Sequence, residues 1–460
     1  MLPRPRRLQR LSLVLAAATV SACGAPEPAH NVLLVVVDTL RADHTSLLGY
    51  PRSTTPNLDA FAAEGLVFES ARASSSWTKP SMATLLTGLS VSEHGIETDE
   101  ARLSETATTL AEVLWSNGYA TALFSDNPYV SRAFGFAQGY QRVLDYAGDD
   151  APQGQLRAHA ARDWEKRSGA PALNDQFLTW LDSTPDDRPW FAHVHYMEPH
   201  WPYQPPAAFY AKFAGATSQP VALANLWDLE TGIASALPGD RLSDAQRGAL
   251  IDAYDGAVAF WDDRFGGLLG ELEARDQLAD TIVAIVSDHG EGFYEHATWA
   301  HQNSLYDELV RVPLVLRGPG VEPGREAAPR TVRDLPSTLV GLAGLPMHDV
   351  GTGRSLIGDG ASEWSARLER YGRRYHATLQ QDHKWIVSQG EGLDRVEAFA
   401  LVEDPAEQLD LSNASAEASA ALRRRMLDRA AAERAGGLEP ERAEIGEDMR
   451  EALRALGYAD

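Results

Sequence analysis

The chain alternates short, continuous apolar runs with longer stretches in which apolar residues recur every three or four positions. Asn31 to Val37 is a β-branched run ending at Asp38, the pattern of a central parallel strand buried on both faces. Thr281 to Ser287 is a second such run and ends in Asp288-His289-Gly290-Glu291, while Ala120 to Ser125, Trp190 to Tyr196 and Val312 to Leu316 are lesser ones. The clearest helix carries Leu250, Tyr254, Val258, Trp261, Phe265, Leu268 and Leu272 at spacings of three and four, which sets one apolar stripe against a sheet. Strands alternating with helices predict an α/β domain built on a doubly wound, mostly parallel sheet, with ligands bound beyond the carboxyl ends of the strands. Asp38 and Asp288 both fall at that edge.

The segments 147–172 and 206–248 are rich in Ala, Gly, Pro and acids without clear periodicity, and are expected to be excursions that shape a cleft. Beyond about Pro346 the pattern changes to short strand-like pieces, Tyr375 to Leu379 and Lys384 to Ser388, followed by a Glu/Arg/Ala-rich helix near 415–435. This predicts a main α/β domain over 31–345 and a small α+β C-terminal subdomain over 346–460.

The N-terminus follows another logic. Arg4, Arg6, Arg7 and Arg10 precede the apolar run Leu11 to Val20 and the small residues Ser21 and Ala22, the layout of a signal peptide over residues 1–22. That run is well short of the ~20 apolar residues a membrane-spanning helix needs. Val20-Ser21-Ala22-Cys23 resembles a bacterial lipobox, so 23–30 is expected to be a linker, with membrane contact only through a lipid on Cys23 and a location in the periplasm or cell envelope. Cys23 is the sole cysteine, which excludes an internal disulfide framework and a cysteine-rich metal site. Loss of the signal peptide removes four arginines and no acids, taking the formal charge from −24 to −28. An acidic surface without a basic stripe argues against a nucleic-acid partner.

Three segments hold the chemistry. Asp38 and Asp288-His289 combine carboxylate and imidazole donors, a set that suits a divalent cation such as Zn, Mn, Mg or Ca. The third segment, Ser76-Trp77-Thr78-Lys79-Pro80-Ser81-Met82, has Pro80 placed for the first turn of a helix, with Thr78 just ahead of it. Thr78 fits an ordinary helix cap. It equally fits a nucleophile whose charge is met by a helix N-terminus and a metal. Spacing alone does not separate the two.

Several blocks resemble, in order, the signatures of the sulfatases of the alkaline phosphatase superfamily: the run from Asn31 to His44 through Asp38, Thr55-Pro56-Asn57-Leu58-Asp59, Pro80-Ser81 with Leu85-Leu86-Thr87-Gly88, Glu198-Pro199-His200, Ser287 to Glu291, Tyr306-Asp307-Glu308 and Arg311-Val312-Pro313-Leu314. Glu403-Asp404-Pro405 and Leu453 to Tyr458 look like C-terminal pieces of the same family. The resemblance implies an exported, metal-dependent hydrolase of sulfate or phosphate esters acting on a small-molecule, glycan or lipid ester. The chain departs from the family at Thr78, where those enzymes carry the Cys or Ser that becomes an aldehyde. It departs again at Met82, where they have Arg, at Thr39, which replaces the second Asp of a pair, and across Phe124 to Pro128, where many have a lysine and a histidine.

Threonine is the nucleophile in related phosphodiesterases and phospho-headgroup transferases, and Asp38, Thr78, Asp288 and His289 match their metal set. The resemblance therefore implies Thr78 as nucleophile, with phosphoesters and phosphodiesters favoured by the threonine and sulfuric esters by overall likeness. His200 and His301 resemble histidines that contact the transferred group or a second metal, while His195 and His296 fit such a role or a structural one equally. A transferase of the cell envelope is the less favoured alternative, since those relatives usually carry several membrane helices. A non-catalytic binding protein is disfavoured by the retained Asp38, Asp288 and His289.

Overall fold

The computed structural model describes residues 29–145, 148–149, 169–215, 243–351, 354–358, 363–390 and 392–455. The expected signal peptide, Cys23 and large parts of the two excursions lie outside these residues. The main sheet has nine strands: β1 (Asn31–Val37), β2 (Leu66–Phe68), β3 (Ala120–Ser125), β4 (Arg142–Asp145), β5 (Gly148–Asp149), β6 (Trp190–Tyr196), β7 (Thr281–Val286), β8 (Leu314–Arg317) and β9 (Gly324–Glu326). Their spatial order is β9-β2-β8-β7-β1-β6-β3-β4-β5. The central strands β7, β1, β6, β3 and β4 are parallel, and β8 runs antiparallel between β7 and β2.

Successive side chains of a strand point to opposite faces, and β1 divides its residues accordingly. Val32, Leu34 and Val36 enter one apolar cluster with helices α2 (Thr78–Thr87), α4 (Leu110–Ser116) and α7 (Leu335–Leu342). Leu33, Val35 and Val37 enter the other, with α1 (Pro56–Ala62), α5 (Ala170–Ser183) and α6 (Asp244–Ala274). All seven stripe residues of α6 are at most 1% exposed, so the helical spacing reported a packed face. Each such large side chain contributes about 1.5–3 kcal/mol by leaving water. Ser243 starts α6 with a capping box, its hydroxyl accepting from Gln246 N–H. The doubly wound, mostly parallel α/β fold expected from the pattern is the fold observed.

Two local expectations differ. The run Val312 to Leu316 gives a strand that starts at Leu314 and runs antiparallel, because an apolar run carries no information about direction. The segment 206–248 reads as an excursion without periodicity, yet Ala207–Phe213 within it is helical and α6 begins at Asp244. The half-buried face of the short helix, made by Phe209, Tyr210 and Phe213, spans little more than one turn, too short for periodicity to reveal.

The C-terminal part forms an antiparallel sheet of β10 (Ser365–Arg370), β11 (Arg373–Gln380), β12 (His383–Gly390) and β13 (Leu393–Ala400), followed by α8 (Ala416–Gly436). Leu368, Tyr375, Ile386 and Phe399 of this sheet join the cluster that contains α2. A buried ionic cluster adds a polar link. Lys384 of β12 pairs with Asp307 at 2.8 Å and Glu407 at 2.9 Å, and Arg72 pairs with the other oxygen of Asp307 at 2.7 Å. Asp307 opens the one-turn helix Asp307–Val310, at the end of the loop that carries His301. Burial raises the Asp307 carboxyl, but Arg72 and Lys384 outweigh it and hold it well below the usual range.

Taking away one charge of a buried set strands its partners. Lys384→Met is therefore expected to lower stability by about 3–5 kcal/mol, read as a shift of the urea midpoint at unchanged slope. A loss within about 0.5 kcal/mol, the ordinary range for surface substitutions, would show that the cluster is not a structural tie.

Candidate functional site

Four side chains from three separate segments meet beyond the carboxyl ends of β1 and β7. Asp38 follows β1, with its N–H on the carbonyl of Tyr196 at 3.0 Å, and Asp288 and His289 follow β7. The two loops are stitched together: Thr39 N–H donates to Asp288 Oδ1 at 3.2 Å and Leu40 N–H to Ser287 Oγ at 2.9 Å. Thr39 holds φ at 58°, a left-handed conformation that costs a β-branched residue on the order of 1–3 kcal/mol. The surroundings impose it, since the Thr39 carbonyl also accepts from Tyr254 Oη at 2.7 Å.

Thr78 is the first residue of α2, and the cap is Trp77, which makes no side-chain capping bond. The expectation that Thr78 stands just ahead of the helix thus moves by one position, and its hydroxyl is not engaged in capping. Thr78 Oγ1 lies 3.2 Å from His289 Nε2. His289 donates its Nδ1–H to the Gly290 carbonyl at 2.8 Å, so in the neutral ring Nε2 is the lone-pair nitrogen; burial acts to lower its pKa, but Asp288 and Asp38 outweigh that and raise it. That nitrogen is 3.5 Å from Asp288 Oδ2 and 3.9 Å from Asp38 Oδ1. These legs place the hydroxyl within reach of both carboxylates through one shared ion.

Asp38, Thr78, Asp288 and His289 have no solvent exposure. Asp38 Oδ1 and Asp288 Oδ2 accept no hydrogen bond among the described residues, and one ligand atom from each of Asp38, Asp288 and His289 falls within a 4.8 Å cluster. Two buried carboxylates, each with a bare oxygen beside a lone-pair nitrogen, form a donor set that fits a divalent cation. Burial, with Asp38 alongside, pushes Asp288 up to about 6. Burial also acts to raise Asp38, but His200, His195 and His289 outweigh it and hold Asp38 below the usual carboxylate range.

His200 and His301 stand beside this cluster, their rings 5.1 Å apart, and the His301 ring lies 4.6 Å from that of His289. His200 Nδ1 donates to the Trp201 carbonyl at 2.5 Å, and burial pushes its pKa down to about 4. His301 Nδ1 is 3.0 Å from Glu291 Oε1, and burial, with the charge of His289, takes it well below the ordinary imidazole value. Gln302 N–H donates to the Ser76 carbonyl at 3.0 Å and Ser76 Oγ to the Ser304 carbonyl at 2.7 Å, so the His301 loop is tied to the segment entering Thr78.

The other two histidines separate cleanly. His195 Nε2 is 3.1 Å from Asp38 Oδ2, whereas His296 bridges Glu308 and the Glu407 carbonyl and stacks on Tyr306. Asn127 and Glu291 are site residues to which sequence reasoning gave no role. Asn127 follows β3, and the shared position at the carboxyl edge is the signal that was available. Met82 is buried and uncharged, and Lys79 commits its ammonium to the carbonyls of Thr98 and Asp99 at 2.9 and 2.8 Å.

The sulfatase family model matches residues 30–345. A choline-sulfatase of Rhizobium meliloti is 24% identical over 70% of this chain and 69% of its own length. An N-acetylglucosamine-6-O-sulfatase of Bacteroides thetaiotaomicron is 23% identical over 86% of each chain. Among solved structures, a phosphonate monoester hydrolase of Agrobacterium radiobacter superposes with a TM-score of 0.68 at 21% identity, covering 89% of this chain and 96% of its own. The family match over most of the chain, on this fold, makes the chain an ester hydrolase of the sulfatase family, in the alkaline phosphatase superfamily, with a carboxylate and imidazole cluster beyond its central strands that could hold a metal.

Proposed function

We propose that the chain hydrolyses singly charged esters of phosphorus, phosphodiesters and phosphonate monoesters, through Thr78 as a covalent nucleophile. The observation that carries this is the Thr78 hydroxyl, free of any capping role and 3.2 Å from His289 Nε2 beside the bare oxygens of Asp38 and Asp288. A divalent cation held by Asp38, Thr78, Asp288 and His289 would supply positive charge that makes the hydroxyl acidic and offsets charge on the non-bridging oxygens.

The side chains then divide the work. The Thr78 oxygen attacks phosphorus in line, a bond forms to Thr78, and the bond to the ester oxygen breaks. His301, oriented by Glu291 and kept neutral by burial, takes the proton that Thr78 loses and passes it to the departing oxygen, and in the second half-reaction it carries a proton from the attacking water back to the Thr78 oxygen. His200 holds its Nδ1 hydrogen on the Trp201 carbonyl and turns a lone pair to its neighbours, so it serves as a proton acceptor in this tautomer.

Two features favour phosphorus over sulfur. The carbon bearing the Thr78 hydroxyl has no second hydroxyl with which to expel a sulfate, so release depends on water attack at the central atom. Met82 and Lys79 bring no side-chain charge to the Thr78 hydroxyl, which suits a monoanion better than a doubly charged phosphate. Structural neighbours from Agrobacterium radiobacter and Silicibacter pomeroyi are named phosphonate monoester hydrolases.

The test compares bis-nitrophenyl phosphate, a nitrophenyl phosphonate, nitrophenyl phosphate and nitrophenyl sulfate on metal-loaded protein. The diester and the phosphonate are expected to give kcat/KM at least about 10-fold above the sulfate, equivalent to about 1.4 kcal/mol of barrier. A sulfate that matches or exceeds them sinks the phosphorus preference.

A further inference from the structure

The two carboxylates of the site each present one oxygen and hide the other. Asp38 Oδ2 accepts from Asn127 Nδ2 at 2.6 Å and from His195 Nε2 at 3.1 Å, and none of the three side chains has any exposure. A carboxylate oxygen only accepts, so His195 carries its hydrogen on Nε2. The amide of Asn127 is oriented by the backbone, because its Oδ1 accepts from Tyr129 N–H at 2.8 Å and leaves Nδ2 for Asp38. Two donors fill the two lone-pair directions of Oδ2. Only Oδ1, without a hydrogen-bond partner among the described residues, faces His289.

Asp288 is arranged the same way by backbone donors. Its Oδ1 takes the N–H groups of Thr39 at 3.2 Å and His289 at 2.9 Å, and its Oδ2 stays bare. A cation entering the cluster therefore meets two single carboxylate oxygens, one imidazole nitrogen and the Thr78 hydroxyl. Calcium is usually served by six to eight oxygens, often with a chelating carboxylate. Four donors, one of them imidazole, match a small transition ion.

We propose that His195 and Asn127 are positioning residues which make Asp38 a one-oxygen ligand and so tune the centre toward zinc and away from calcium. The inference rests on the metal-dependent reading above and concerns ion choice, which the fold does not decide. Asn127 belongs to the Phe124 to Pro128 block, where the lysine and histidine of many sulfatases are replaced. In this chain the block supports a metal ligand.

The experiment uses the full chain, stripped with a chelator and titrated separately with zinc and with calcium by calorimetry and by thermal shift. Zinc is expected to bind the native chain at least about 100-fold more tightly than calcium. Zinc favours imidazole in any setting, so the change of that ratio in variants is the deciding readout. Asn127→Ala and His195→Ala are expected to weaken zinc about 10- to 100-fold, to weaken calcium less, and so to narrow the ratio. His195→Gln, which keeps an N–H donor, is expected to retain most of the native ratio and serves where the alanine variant does not fold. An unchanged zinc-to-calcium ratio in Asn127→Ala, or calcium binding the native chain as tightly as zinc, overturns the proposal and leaves metal dependence standing. Binding of neither ion overturns the metal reading itself.

Discussion

Thr78→Ala is expected to lower kcat by at least about 10³-fold, roughly 4 kcal/mol of transition-state stabilisation, with the fold and the metal content largely retained. The reasoning is local. Thr78 is the first residue of α2 with no capping bond to lose, and its hydroxyl contact is to His289 Nε2 at 3.2 Å. Removing the oxygen therefore deletes the attacking group while the helix, anchored by Leu85 and Leu86 in the core, stays in place. Thr78→Ser keeps a hydroxyl and is expected to keep measurable turnover. Acid quench during turnover followed by intact-mass measurement should find a substrate-derived adduct on the native chain and none on Thr78→Ala. An alanine variant that turns over within 10-fold of the native chain rules out residue 78 as the nucleophile.

The second large effect concerns the cation, and it reverses sign between loaded and stripped protein. Stripping is expected to abolish turnover and to remove the stabilisation that bound ligand gives, about 2.7 kcal/mol at one hundred times the dissociation constant. What remains is a pair of buried carboxylates, of which Asp288 is pushed up to about 6 by burial and by Asp38. A carboxyl raised in the folded state has its stabilising effect fully present below the unfolded value and loses it as pH rises through the folded value. Stripped protein should therefore lose stability between about pH 4 and pH 6 from this source. Asp288→Asn removes that loss, so at pH 7 it is expected to melt several degrees higher than the stripped native chain, yet lower than the native chain when metal is supplied. A variant that melts lower in both states removes the case for charge repulsion at this pair.

Asp38, Asp288 and His289 were legible because each follows an apolar run, and in a parallel sheet the ends of such runs share one edge. Thr78 was legible as a residue at a helix start, though its exact position relative to the cap was not. His195 and Asn127 were not readable as partners of Asp38, because their role depends on which strands are neighbours. His195 lies opposite Val36 across the β1–β6 pairing and opposite Ser125 across β3–β6, and strand order leaves no local trace in an apolar pattern. The orientation of β8 was hidden for the same reason. Glu291 was visible inside its motif, but its contact with His301 depends on the positive-φ backbone at Ala300 and Gln302, which no spacing rule announces.

Lys384, itself paired with Glu407, neutralises a carboxylate that belongs to the earlier part of the chain. During synthesis from the N-terminus, every proposed metal ligand has left the ribosome well before these two residues appear. The loop bearing His301 thus waits, with Asp307 short of one counter-charge, until the last sheet has been made and docked. On the proposed mechanism, the site would be complete only when the C-terminal sheet has formed, well after residue 78 has been made.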